Sequence, residues 1–273
     1  MNILVTLDRR YLEPLSVMLC SLLIQHPGDT FDIYVITQDL EKGDLQPIEK
    51  MCMRFQSALH LIRVDEDCFD DAPTLRYYSK AMYYRLLAAQ LLPQDLDRIL
   101  YLDPDILVMG PLHSLYGTEM GSHLYAAAMH AGLINLSGPV NQIRLQNDEA
   151  KAYYNSGVLL MNLPRIREEV RQEEIFTYVR QNRSKLILPD QDVLNGLYGG
   201  KILEIDECLY NYDARKYREY LIASQGEKDM KWVMEHTSLL HFCGKRKPWQ
   251  KKGCRRFDGL YKHYMQLAKR YQA

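Results

Sequence analysis

Apolar residues change their period along the first hundred positions of the chain. Ile3 to Thr6 is a short β-like run, Leu12 to Gln25 carries apolar positions at helical spacing, and Phe31 to Thr37 is again β-like. Leu45 to Phe55 reads as a helix and Leu59 to Val64 as a strand. A polar loop follows through Asp70, Asp71 and Pro73, then a predicted helix from Tyr78 to Leu92 and an apolar strand from Arg98 to Leu102. Beyond residue 110 the spacing predicts strands at Tyr125 to Met129 and Gly157 to Asn162, and a helix at Arg167 to Gln181. Repeated β-α-β order implies an α/β fold with a mainly parallel sheet covered by helices on both faces. In such sheets ligands bind at the carboxyl ends of the strands.

With 47% apolar and 25% charged residues, the 273-residue chain can bury a core and is not of disordered composition. One catalytic domain, residues 1–249, with a basic tail over 250–273 is the expected organisation. Net charge is only -1, but the last 29 residues from Lys245 hold ten Lys or Arg against one acid, Asp258. The remaining chain carries 24 bases and 34 acids, so a balance of -10 is followed by +9. That asymmetry points to an anionic surface, membrane headgroups or nucleic acid. The body of the chain has no basic excess, and nucleic acid is not expected as a partner. Along the tail, Lys251, Lys252, Arg255, Arg256, Lys262, Lys269 and Arg270 interleave with Phe257, Leu260, Tyr261, Tyr264 and Leu267. This spacing gives a basic amphipathic helix, either lying on anionic lipid or packed on the protein's own body.

Six cysteines, Cys20, Cys52, Cys68, Cys208, Cys243 and Cys254, show no C-x-x-C pairing, which favours reduced thiols. The chain opens on Asn2 to Thr6, a strand pattern and not a cleavable signal, and no apolar run approaches 18 residues. These features predict a cytoplasmic protein, peripheral at the inner face of a membrane if the tail binds lipid.

Asp103-Pro-Asp105 ends the apolar strand Ile99 to Leu102. In extended backbone, residues two apart point to one side, so both carboxylates can address one ion. Pro104 lacks an N–H and marks where sheet pairing stops. Hard carboxylate oxygens suit Mg²⁺ or Mn²⁺, and a histidine ligand tilts the choice toward Mn²⁺. The alternative is a solvated turn, which Asp and Pro also favour.

Four ordered motifs take the reading further. Tyr84-Arg85-Leu86 with Asp97 to Val108, Tyr154 to Leu163, Pro189 to Asn195, and His241 to Trp249 resemble the corresponding segments of glycosyltransferase family 8. These are retaining enzymes that include glycogenins and bacterial lipopolysaccharide α-galactosyltransferases. With Thr6-Leu-Asp8 the resemblance runs from residue 1 to about 250. It implies a GT-A-type nucleotide-binding fold and transfer of a hexose, glucose or galactose, from a UDP-sugar to a glycan or glycolipid acceptor.

The resemblance makes Asp103, Asp105 and His241 ligands of Mn²⁺, with Mg²⁺ as the alternative. It puts Gly244 and Lys247 over the diphosphate, Thr6 and Asp8 at the uracil and ribose, and Arg85 on the donor. Asn155, Asp190 and Gln191 match sugar-binding positions, with Gln191 near the reacting carbon and Asp190 and Gln191 assigned as the catalytic pair. Taken without the resemblance, His241 reads as a structural histidine, Arg85 as a helix-surface residue, and Lys247 as one cation of the tail. Likewise Asn155-Ser-Gly157 reads as a turn, and Asp190 as an N-cap for a helix at Val193 to Leu197. His113, His123, His130 and His236 lack any such context and are assigned structural or solvated places.

Retention allows a covalent glycosyl-enzyme or front-face attack, and the amide of Gln191 is a poor nucleophile, so the front-face route is expected. Bacterial galactosyltransferases of this type carry an acid facing sugar and acceptor; here Met129 or His130 falls there. Two other classes compete, a haloacid-dehalogenase-type phosphatase and a non-catalytic nucleotide-sugar binder or scaffold. The first fits poorly, because its acids follow a strand near the N-terminus and Leu107 stands where it wants Thr or Val. Within the family, glycogenin-like self-glucosylation on tyrosine is the narrower rival.

Overall fold

The computed structural model describes residues 1–65, 81–129, 152–250 and 255–273. The loop through Asp70, Asp71 and Pro73 lies outside these residues, as do Cys68, His130, Lys251, Lys252 and Cys254.

Ten strands are described: β1 Asn2–Thr6, β2 Asp32–Thr37, β3 Ala58–Arg63, β4 Arg98–Leu102, β5 Ile106–Val108, β6 Tyr125–Ala128, β7 Val158–Asn162, β8 Ile202–Ile205, β9 Tyr212–Asp213 and β10 Leu239–His241. Seven form the main sheet in the order β3-β2-β1-β4-β7-β6-β8, and three form a small one, β5-β10-β9. The main sheet is mostly parallel, with β7 inserted antiparallel between β4 and β6. Its central strands are apolar on both faces because helices cover both. Ile3 and Val5 enter one core, while Leu4 between them enters the other. At the edge, β3 alternates in exposure, as a half-covered strand should.

The helix Leu12–Gln25 has the predicted ends. Helix Lys42–Arg54 starts three residues before the predicted one, where Glu41 and Asp44 form a capping box. Two predicted helices are broken. Tyr78 to Leu92 is described as Ala81–Leu86 and Ala88–Leu91, parted at Leu87. Arg167 to Gln181 divides into Leu163–Glu169 and Gln172–Asn182 around Val170, whose extended backbone (φ -90°, ψ 120°) drops its side chain into the core. Asn162 caps the first of that pair by accepting from the Arg165 backbone N–H, and the Arg171 guanidinium donates to the Glu168 carbonyl at 2.7 Å. Burial of one β-branched side chain thus overrides helical periodicity.

Helix Asp258–Gln272 packs on Leu12–Gln25 and Lys42–Arg54. Phe257, Tyr261, Tyr264 and Ala268 are buried there, with Leu260 and Leu267 against the same core. Of the two sequence readings for this amphipathic helix, its apolar face is therefore turned to the protein, with Arg255, Arg256, Lys262, Lys269 and Arg270 outward. Among the described residues, no helix is long and apolar enough to cross a membrane. Cys20, Cys52 and Cys208 are buried free thiols, and Cys243 is partly exposed.

Candidate active site

Backbone pairing brings the site together. Leu102 at the end of β4 pairs with Val158 of β7, and the next rung is Asp103 N–H to the Gly157 carbonyl at 2.8 Å. On the other side, His241 of β10 pairs with Ile106 of β5 and with Asp213 of β9. The Phe242 N–H then donates to the Asp105 carbonyl at 3.0 Å. The large sheet therefore holds Asp103 and the small sheet holds Asp105, with Pro104 at the junction.

The D-P-D motif is not extended throughout, as its spacing suggested; Pro104 and Asp105 form a turn between β4 and β5. Proline presets the φ such a turn needs. Nor is the turn solvated, since Asp105 is only 5% exposed. The carboxylates still converge: His241 Nε2 lies 3.3 Å from Asp105 Oδ1 and 3.7 Å from Asp103 Oδ2. The three ligand atoms fall within 4.8 Å of one another.

These residues fit a divalent cation. His241 Nδ1 is engaged by Asn211 Oδ1 at 2.8 Å, which leaves Nε2 toward the acids. Gly157 makes room: a Cβ there would stand 2.4 Å from His241 Cε1 and 2.7 Å from Asp103 Oδ2. A second cluster, His26, Asp29 and His113, is equally compact but does not fit an ion. Its buried His26 has both ring nitrogens engaged by backbone, the Leu22 carbonyl at 2.9 Å and the Leu112 N–H at 3.0 Å. His113, an exposed side chain, lies 2.9 Å from the Asp29 carboxylate.

Cations interleave with the acids. Arg85 bridges Asp103, Asp190 and the Tyr101 hydroxyl, and donates to Ser156 Oγ at 2.8 Å. Lys247 binds the Asp105 carboxylate and the Phe242 carbonyl. Burial works against charge on Asp105, yet His241 and Lys247 outweigh it and hold the carboxyl below the usual carboxylate range. Burial also opposes charge on His241, but Cys243 and Asp105 raise it well above the ordinary imidazole value. Arg85 and Lys247 are raised too, against burial, by Asp103 and by Asp105 respectively. The pocket is thus a dense, buried lattice of alternating charge.

Asn155 and Gln191 are buried and bonded to each other, Asn155 Nδ2 donating to Gln191 Oε1 at 3.1 Å. Two buried donors, Gln191 Nε2 and Arg85 Nε, have no partner among the described residues. A polar ligand would satisfy them, since unpaired buried donors are costly. Asp190 is not an N-cap: the helix Pro189–Tyr198 starts one residue before it, and its carboxylate goes to Arg85 and to Ser156 Oγ at 3.0 Å. Tertiary charge outcompeted the local capping option.

Thr6 Oγ1 reaches the Tyr101 hydroxyl at 3.2 Å, which donates to Asp103 at 2.6 Å, so Thr6 belongs to the site's margin. Asp8 caps the 3₁₀ turn Arg9–Tyr11 and pairs with Arg10. Gly244 has φ +86°, a conformation glycine accepts readily, beneath the Arg215 guanidinium. Met129, with Asn155, Glu207, Asn211, Asp213 and Cys243, lines a narrow cleft beside this group.

Sequence reasoning missed Tyr101, Asn211 and the Asp213–Arg215 pair. Tyr101 was findable, because it stands two residues before Asp103 on the same side of β4. Asn211 had no local signal.

The family model for glycosyl transferase family 8 matches residues 2–253. A lipopolysaccharide 1,2-glucosyltransferase of Escherichia coli K12 is 29% identical over 261 residues, 92% of this chain and 73% of that protein. A lipopolysaccharide 1,3-galactosyltransferase of Salmonella typhimurium is 23% identical over 256 residues, 92% of this chain and 74% of that one. In fold, the galactosyltransferase LgtC, solved with donor and acceptor sugar analogues, superposes with a TM-score of 0.83 at 23% identity, covering 98% and 96% of the two chains.

Proposed function

Because the chain belongs to glycosyl transferase family 8, we propose that it transfers glucose or galactose from a UDP-sugar to a hydroxyl of a glycan or lipopolysaccharide-type acceptor, with retention and with Mn²⁺. Two similar proteins named as lipopolysaccharide glucosyl- and galactosyltransferases support the transferred hexose and the acceptor class. The observation that carries the reading is the convergence of Asp103, Asp105 and His241 from two sheets.

Asp103, Asp105 and His241 would hold the ion, which when bound offsets the charge left on the diphosphate as the sugar departs. Lys247 and the glycine backbone at Gly244 face the diphosphate, with Thr6 and Asp8 on the nucleotide side and Arg85, between Asp103 and Asp190, on the donor. Asn155, Asp190 and the unpartnered Gln191 Nε2 bind the hexose hydroxyls. Asp190 is neutralised by Arg85, which makes it a weak nucleophile, and Gln191 is an amide. Both features favour front-face substitution, the departing phosphate oxygen taking the acceptor proton while Gln191 steadies positive charge on the sugar. The outward basic side chains of Asp258–Gln272 suit attachment to an anionic cytoplasmic leaflet by charge, without insertion.

Incubation with UDP-glucose and UDP-galactose plus Mn²⁺ tests the reading. Slow UDP release, abolished by EDTA and by Asp103→Asn, and an α-linked product by NMR are expected. No UDP release from either donor with Mn²⁺ present refutes it.

A further inference from the structure

Four buried side chains, running from the proposed ion ligand to the proposed sugar contact, form one chain of hydrogen bonds with a fixed direction. Its polarity is set by backbone. The Gly157 N–H donates to Asn155 Oδ1 at 2.8 Å, and since a peptide N–H only donates, it determines which end of the Asn155 amide is oxygen. That oxygen also accepts from Asn211 Nδ2 at 2.9 Å, so Asn211 must present Oδ1 on its far side. There it lies 2.8 Å from His241 Nδ1. A carboxamide oxygen only accepts, so Nδ1 carries a proton and Nε2 is the nitrogen left for an ion.

The other arm follows the same logic. Asn155 Nδ2 donates to Gln191 Oε1 at 3.1 Å, and the Ser156 N–H reaches that oxygen at 3.4 Å. Gln191 therefore turns its Nε2 away, buried and without a partner among the described residues. Two consecutive peptide N–H groups, of Ser156 and Gly157, thus orient three amides and one imidazole, all at most 9% exposed.

We infer that Asn211 is a positioning residue with two separable duties: its oxygen fixes the His241 tautomer toward the ion, and its nitrogen is the second donor that holds the backbone-oriented Asn155–Gln191 pair toward the sugar. The inference rests on the reading of His241 as ion ligand and Gln191 as sugar contact. Partners that orient a metal-bound histidine in this way affect metal affinity roughly 10- to 100-fold.

Two variants separate the duties. Asn211→Asp keeps an acceptor for His241 but sets oxygen against Asn155 Oδ1, whereas Asn211→Leu removes both. With Asn211→Leu, Mn²⁺ affinity by electron paramagnetic resonance falls roughly 10- to 100-fold, and donor KM rises with a lowered kcat. With Asn211→Asp, Mn²⁺ affinity is retained while donor KM and kcat still worsen. Wild-type Mn²⁺ affinity in folded Asn211→Leu, or loss of Mn²⁺ binding in Asn211→Asp equal to that in Asn211→Leu, overturns the inference. Should either variant fail to fold, ¹⁵N NMR of the Mg²⁺-loaded wild type decides, the Nε2-protonated tautomer of His241 overturning it. A wild type that binds Mn²⁺ and ignores Asn211 sinks this inference alone; a wild type that binds no divalent ion sinks the site reading with it.

Discussion

Replacing Gly157 by alanine puts one methyl group into the point where both sheets meet. Gly157 does not adopt a positive φ, so the backbone itself accepts alanine and the cost is purely one of space. The new Cβ would stand 2.4 Å from His241 Cε1, 2.7 Å from Asp103 Oδ2 and 3.0 Å from Asn155 Oδ1. Carbon pairs rest at about 3.5–4.0 Å, so the imidazole must retreat by about 1.1 Å. It cannot do so freely, because Asn211 holds Nδ1 and β10 is paired on both edges. A misplacement near 1 Å in a positioned group costs about 10²-fold in rate. That corresponds to about 2.7 kcal/mol of transition-state stabilisation. Overpacking adds about 1–3 kcal/mol against the fold. Initial rates of UDP release, Mn²⁺ titration and thermal unfolding read these separately. Gly43→Ala is the control, since nothing lies within 4 Å of its new Cβ inside a helix, and it should be neutral or stabilising by up to about 1 kcal/mol. Wild-type rate and Mn²⁺ affinity in Gly157→Ala would refute the packing argument.

Asp105→Asn should keep the fold yet lose about 10³ in rate, roughly 4 kcal/mol; near-normal turnover with Mn²⁺ present removes Asp105 from the site. Mn²⁺ at 100 times its dissociation constant should add about 2.7 kcal/mol to stability, seen as a higher Tm in wild type and not in Asp103→Asn. Burial pushes the Cys20 and Cys52 thiols up to about 12, so at pH 8 almost none is thiolate, and that fraction grows only as pH rises toward 12. A thiol reagent on native protein at pH 8 should therefore leave both unmodified; rapid labelling there would mean that these helices open readily. In Asp258–Gln272, Tyr261→Ala should cost about 3–5 kcal/mol in chemical denaturation, by analogy with other large aromatic deletions. Neutralising Lys262 and Arg270 together should leave Tm unchanged but weaken binding to anionic vesicles; unchanged binding would argue against the charge-based attachment.

The alternation of apolar periods was enough to determine the first three strands and the two helices between them, because each of those elements buries one face or both within a few consecutive residues. Leu12–Gln25 needed nothing beyond its own spacing. The two carboxylates of Asp103 and Asp105 were visible for the same reason, being neighbours in sequence. Elsewhere local pattern gave way to long-range contact. Val170 broke a helix by sinking into the core, Asp190 left the capping role for Arg85, and the turn at Pro104 replaced an extended segment. His241 and Lys247 were located by resemblance, not by periodicity, and Lys247 stands 142 positions from the Asp105 it meets. Asn211 was invisible for the same physical reason. Sequence spacing reports on faces of single elements, whereas the insertion of β7 beside β4 and the docking of a three-stranded sheet at their end decide which distant side chains share one small buried space.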